Sequence, residues 1–265
     1  MTTASVTPDG QSSKPPRGTA AAPARTRPTR AARYLLLAGI GLSMVVTGCT
    51  VTATGRPTAA ADLGHWQPPP IPTTRLADLL LSASELSAIG RSGDLQVRQP
   101  VSRMWHDEDG LADRNCLDAY SPLEAAVYEG SDWTAVQGQV LDDGGPAGDP
   151  PPEHALVQAV VGFRDAGSAQ QFFTDSKQRW SACANRPVAF AKPGEPDRVW
   201  AFGDAVATDT TLSMMQTREG GQGLACQRAR GVRNNVIIDT MWCGFDAADQ
   251  AAQVVTKIAA DVVEQ

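Results

Sequence analysis

Acid–base and nucleophilic catalysis both need a base held beside a reacting group, and the residues that do this work are sparse in this chain. There are three histidines. His65 lies in a Pro-rich stretch, His106 in a polar run beside Trp105, and His154 just ahead of an apolar run. Neither a G-x-S-x-G elbow nor an H-E-x-x-H pair is present. Gly220-Gly221-Gln222-Gly223 lacks the Lys-Ser/Thr of a phosphate loop and precedes a strand pattern, so it reads as a hairpin turn. The run His106-Asp107-Glu108-Asp109 reads as a solvated acidic loop. No catalytic residue, metal site or cofactor is assigned, and the chain is not expected to be an enzyme. The candidate ligand contacts are Arg228, Arg230 and Arg233, clustered near one hairpin turn. Alternation puts Arg228 and Arg230 on the same strand face, which suits either an anion contact or a solvated surface.

The most reactive side chain by position is Cys49. Residues 1–48 carry six basic residues and one acid, a net of +5, whereas the 265-residue chain has a net charge of −6, leaving −11 for residues 49–265. Within the basic head, Arg25 to Arg33 forms a positive segment and Leu35 to Val46 an uncharged apolar one. That apolar run matches a signal-peptide core and is short for a membrane span. It is followed by Val46-Thr47-Gly48-Cys49, which resembles the bacterial lipobox. The resemblance implies lipid attachment at the Cys49 thiol, cleavage before it, and anchoring at the extracytoplasmic face of the cell membrane. Residues 1–48 are then a lipoprotein signal peptide. Residues 49–75, rich in Ala, Thr and Pro, read as an extended tether. Residues 76–265 form the folded body, about the size of one domain. An acidic body of this kind argues against a nucleic-acid partner.

An exported domain allows disulfides. With Cys49 set aside, four cysteines remain, and four allow three pairings. Cys226 and Cys243 flank a hairpin that turns around Val232 to Asn235, so their strands lie side by side. Pairing them leaves Cys116 with Cys183. The absence of C-x-x-C spacing argues against a thiolate metal site.

The elements that must hold these residues follow from periodicity. Ser82-Ala83-Ser84-Glu85 is a capping box opening a short helix that stops at Gly90. Strand patterns cover Leu95–Gln99, Trp133–Leu141, Ala155–Phe163, Arg186–Phe190, Val199–Phe202 and Thr210–Thr217, followed by the cysteine hairpin. Asp165 caps a helix from Ala166 to about Trp180, and Asp246 caps a last helix striped by Ala251, Val254, Val255, Ile258 and Val262. Trp133, Trp180, Trp200 and Trp242 fall in or beside these elements and are expected to pack in the core. The fold class is α+β, mostly antiparallel sheet with packed helices.

Several segments together resemble the extracellular sensor domain of the PknH-type serine/threonine kinases, a domain also carried by free-standing actinobacterial lipoproteins. They are Leu79–Leu86, Tyr128–Gln139, Cys183-Ala184-Asn185-Arg186, Cys226–Asp239 and Trp242-Cys243-Gly244. The resemblance implies an α+β domain with two disulfides and a cleft for an unidentified ligand. This chain departs from the kinases in holding no kinase catalytic segment, so any signal it senses would pass to a separate envelope protein. The leading expectation is an envelope lipoprotein binding a ligand or partner outside the membrane. The alternative is a structural or interaction protein of the envelope without a small-molecule ligand.

Overall fold

The computed structural model describes residues 68–263, except 92, 94, 192, 193, 195 and 196. The expectations for the signal segment, Cys49, His65 and most of the tether fall outside the described residues.

The strands are β1 (Gln96–Val101), β2 (Trp133–Asp142), β3 (His154–Phe163), β4 (Pro187–Phe190), β5 (Arg198–Phe202), β6 (Val206–Ala207), β7 (Thr211–Arg218), β8 (Ala225–Arg233) and β9 (Val236–Gly244). The helices are α1 (Ala83–Gly90), α2 (Leu117–Tyr120), α3 (Ala125–Tyr128), α4 (Ala166–Cys183) and α5 (Gln250–Val263). One antiparallel sheet runs in the order β1-β2-β3-β9-β8-β7-β5-β4, with β6 paired to β7. Pro100 is tolerated because β1 is an edge strand, where a missing N–H breaks no ladder.

The sheet is covered on both faces, so β8 and β9 read as almost continuously buried rather than alternating. On one face α5 lies against β8 so closely that a Cβ at Gly231 would stand 2.4 Å from Val255 Cγ1. Gln227 Oε1, on the same face, accepts from the Ala252 amide near the start of α5. The apolar stripe of α5 packs there with Ile238 and Trp242 of β9 and with Leu76, Leu79 and Leu86. On the other face α4 buries Phe172, Phe173 and Trp180 with Ile237, Met214 and Val136. Trp180, Trp200 and Trp242 are core residues, as expected, whereas Trp133 is only half-buried and packs against the edge of the core.

Local signals account for several boundaries. Ser82 and Glu85 form the reciprocal capping box of α1, and Arg91 takes the left-handed residue that ends it. Asp165 caps α4 by accepting from the Ser168 amide. Two expectations need correction. The helix assigned to an Asp246 cap starts at Gln250 instead. Asp246 is bound to His154 Nε2 at 2.9 Å, while Gln250 Oε1 accepts from the Ala248 amide. The body also begins before residue 76. Ile71 is buried, its amide donates to Asn235 Oδ1, and Asn235 Nδ2 donates to the Ile71 and Phe163 carbonyls. Residues Thr73–Leu79 then form a 3-10 turn that places Leu76 and Leu79 in the core.

Candidate functional site

Cys226 and Cys243 lie directly opposite in the β8–β9 register and are joined by a disulfide. A second disulfide joins Cys116, at the start of α2, to Cys183, the last residue of α4. Both pairings match the sequence reading. The second ties the C-terminal end of α4 to the short helices that precede β2, and a cleft opens along this seam.

The hairpin arginines do not line it. Arg228 and Arg230 share a strand face as alternation requires, but that face looks into the core beneath α4 and both residues are 0% exposed. This corrects their assignment as ligand contacts: a ligand arriving from solvent cannot reach them. Arg230 donates from Nη1 to Asp118 Oδ1 at 2.5 Å and to Ser176 Oγ at 2.7 Å, and from Nη2 to Asp239 Oδ2 at 3.1 Å. Arg228 is ion-paired with Asp239 Oδ1 at 2.6 Å and donates to the Thr240 and Ser121 carbonyls. Asp239 also accepts from Tyr128 Oη and from the Leu123 amide. Both guanidinia lie over the Trp180 ring. Arg233 is exposed at the far end of the hairpin, beside a shallow depression formed with Gly167 and Gln170 of α4.

Two buried carboxylates in a core this dry must remain charged to keep their partners satisfied. Burial alone would raise the Asp239 carboxyl, but the Arg228 and Arg230 guanidinia outweigh it and hold it well below the usual range. Asp118 follows the same pattern, with Arg230 and then Arg179 overcoming desolvation. Tyr128 is pushed up, by burial first and by the Asp239 charge second.

Asp118 carries this network to the surface. Its Oδ2 accepts from Arg179 Nε at 2.8 Å, and Arg179 Nη2 donates to Ser176 Oγ at 3.0 Å. The Arg179 guanidinium rests over the Phe172 ring, and its side chain is 34% exposed. Beside it lies a cavity of about 640 Å³ lined by Glu108, Asp113, Arg114, Leu117, Asp118, Ala126, Val127, Ala182, Cys183 and Arg186, among others. Arg186 is ion-paired with Asp113 and also touches Cys116 Sγ at 3.2 Å. A second cavity of about 480 Å³ continues along α4 past Glu129, Asp132, Ser168 and Asp175, and shares Val127 and Arg179 with the first. The site therefore follows one side of α4, with a fixed guanidinium where its two parts meet.

The sequence reading missed Arg179, Asp118, Arg186 and Arg114. Arg179 directly precedes the core residue Trp180, and attention to the apolar stripe of α4 passed over its polar neighbour. Among the described residues no group of His, Cys, Asp or Glu is placed to hold a metal ion, and no helix is long and apolar enough to cross a membrane.

The family model of the PknH-like extracellular domain matches residues 71–261. The chain is 34% identical over 193 residues to the serine/threonine-protein kinase PknH of Mycobacterium bovis (strain ATCC BAA-935 / AF2122/97), covering 72% of this chain and 32% of that protein. It is likewise 34% identical to PknH of Mycobacterium tuberculosis (strain CDC 1551 / Oshkosh), covering 72% and 30%. The chain thus spans about a third of the length of these relatives. The crystal structure of the extracellular domain of PknH from Mycobacterium tuberculosis superposes with a TM-score of 0.70 at 31% identity, over 74% of this chain and 99% of that one.

Proposed function

Because the chain belongs to the PknH-like extracellular domain family, we propose that it is an envelope lipoprotein, anchored through Cys49, whose extracytoplasmic domain binds a ligand in the cleft beside α4. The observation that carries the reading is the cleft itself. A cavity of about 640 Å³, in which apolar side chains such as Leu117, Ala126 and Val127 stand beside charged ones such as Asp118, Arg179 and Arg186, is of the size of a small-molecule site. Its walls are pre-organised, since the Cys116–Cys183 disulfide and the Asp118–Arg179 pair hold them before any ligand arrives. Binding is the reading taken because most charged groups of the lining are engaged with one another, Asp118 with Arg179 and Asp113 with Arg186. The ligand contacts lie on α4 and the segment before β2, and the hairpin arginines support them from behind. Mass spectrometry of compounds that co-purify with the full-length protein from native envelope tests this. Ala126→Trp, which fills the cavity from one wall, should abolish whatever the unaltered protein retains. An unchanged co-purifying compound in that variant would place binding elsewhere.

A further inference from the structure

We propose that the cleft takes a soluble amphiphilic organic anion, its phosphate or carboxylate group on Arg179 and its apolar body against Leu117, Ala126 and Val127. This rests on the cleft reading above and adds the chemical class of the ligand. The carrying observation is a charge imbalance. Three guanidinia, Arg179, Arg228 and Arg230, share two carboxylates, Asp118 and Asp239. The network carries a net charge of +1, and every member except Arg179 is at most 1% exposed. Of the network only Arg179 is open to an outside anion; the carboxylates that also bear on its charge are Glu108 in this cavity and Glu129, Asp132 and Asp175 in the adjoining one.

Arg179 is built for that contact. Its Nε is bonded to Asp118, its Nη2 to Ser176, and its plane rests over Phe172, so the group is held in one orientation. Among the described residues Nη1 has no hydrogen-bond partner. A guanidinium fixed in advance loses little freedom when it grips an oxyanion. Arg114 and Arg186 line the same cavity; the Arg114–Asp109 pair is solvent-exposed and weak enough to be exchanged, whereas the Arg186–Asp113 pair is half-buried. Glu108 also lines the cavity, with Oε2 buried and without a hydrogen-bond partner among the described residues, so it opposes an anion and sets the sign of one test.

Isothermal titration of the full chain, in a neutral detergent, with hexyl phosphate, hexanoate, hexylamine and inorganic phosphate tests the proposal. At least one of hexyl phosphate and hexanoate should bind tenfold or more tightly than hexylamine, and their order identifies the preferred head group. Hexyl phosphate should also exceed inorganic phosphate. Arg179→Gln should weaken the anion by about tenfold or more, with thermal melting used to confirm folding. Arg114→Gln, at an exposed position that cannot unfold the domain, should weaken it several-fold, and Glu108→Gln should tighten it. Hexylamine binding as well as the anions, no advantage of hexyl phosphate over inorganic phosphate, or indifference to both arginine variants would each overturn the proposal. If no anion binds while Ala126→Trp still removes the co-purifying compound, the ligand class is wrong and the cleft stands. If that compound survives Ala126→Trp, the cleft reading falls as well.

Discussion

Arg230 sits between Asp118 and Asp239 with no exposure to solvent, and its removal takes one cation from each of two buried carboxylates, leaving Asp118 with Arg179 and Asp239 with Arg228. Breaking a buried ion pair from one side typically costs about 3–5 kcal/mol, because the remaining charge has no solvent to return to. Arg230→Ala is therefore expected to lower the free energy of unfolding by that amount in a denaturant titration. A loss below about 1 kcal/mol would mean the network contributes little. The alternation of Arg228 and Arg230 was legible in the sequence, but the depth of their face was not. Burial there is licensed by Asp239, directly opposite Arg230 in the hairpin register, and by Asp118, 112 residues away; the cross-strand partner follows from the hairpin, but no local pattern links Arg230 to Asp118. His154 offers a pH test at the same scale. It bridges Asp143 at 2.5 Å and Asp246 at 2.9 Å, tying the β2–β3 loop to the segment before α5. Burial would lower the imidazole, but the hydrogen bonds and charges of the two aspartates outweigh it and raise it above its ordinary value of 6.5. A group raised in the folded state stabilises fully below its unfolded value, and that stability is lost as pH climbs through the folded value. Unfolding free energy should thus decline as pH rises above about 6.5, and His154→Asn should remove that slope. A slope unchanged in the variant would assign it to another group.

Strand β8 shows how an element can be sound in pattern and still surprise in packing. Its residues alternate between an arginine-bearing face under α4 and a face under α5 that carries Gln227, Ala229 and Gly231. Gly231 belongs to the second face and lets α5 approach, since an added methyl would overlap Val255 Cγ1. The strand is paired on both sides, to β7 and β9, so its backbone cannot easily yield. Gly231→Ala is expected to destabilise by about 1–3 kcal/mol, the usual penalty for overfilling a packed core. A melting temperature equal to the unaltered protein's would show that α5 can shift at no cost. The long elements were readable because each carries its own signal: the caps of α1 and α4, the period-two runs of the strands, the stripe of α5. The four-residue helices α2 and α3, which form one wall of the cleft, were not. They are too short to show a helical period, and their shape is imposed by tertiary partners such as the Cys116–Cys183 bridge. The cleft was therefore implied only by family resemblance, and its residues had to be found in the structure.

At the scale of the whole molecule the two disulfides close loops of very different length, 67 residues for Cys116–Cys183 and 17 for Cys226–Cys243. A loop-entropy treatment gives about 4 kcal/mol for the longer and about 3 kcal/mol for the shorter. Replacing Cys116 and Cys183 together by alanine should cost more stability than replacing the hairpin pair, and only the first change should also weaken ligand retention, because only that bridge borders the cleft. Equal loss of retention from both pairs would indicate that the cleft responds to global stability alone.

The last expectation concerns the proposed anchor. Residues 49–265 carry a net charge of −11, and an anionic lipid surface repels a body of that sign rather than retaining it. Among the described residues no helix is long and apolar enough to cross the bilayer. In the proposed lipoprotein, lipid on Cys49, just after the apolar run Leu35 to Val46, is the attachment, and the acidic domain stands off the surface. Cys49→Ala should abolish metabolic labelling with a fatty acid and leave the protein unprocessed, with residues 1–48 still attached. Mass spectrometry reads both effects on one sample, since the variant should be heavier by the signal segment and lighter by the acyl groups. A Cys49→Ala protein that keeps both the processed mass and the lipid would show that the anchor lies at another residue.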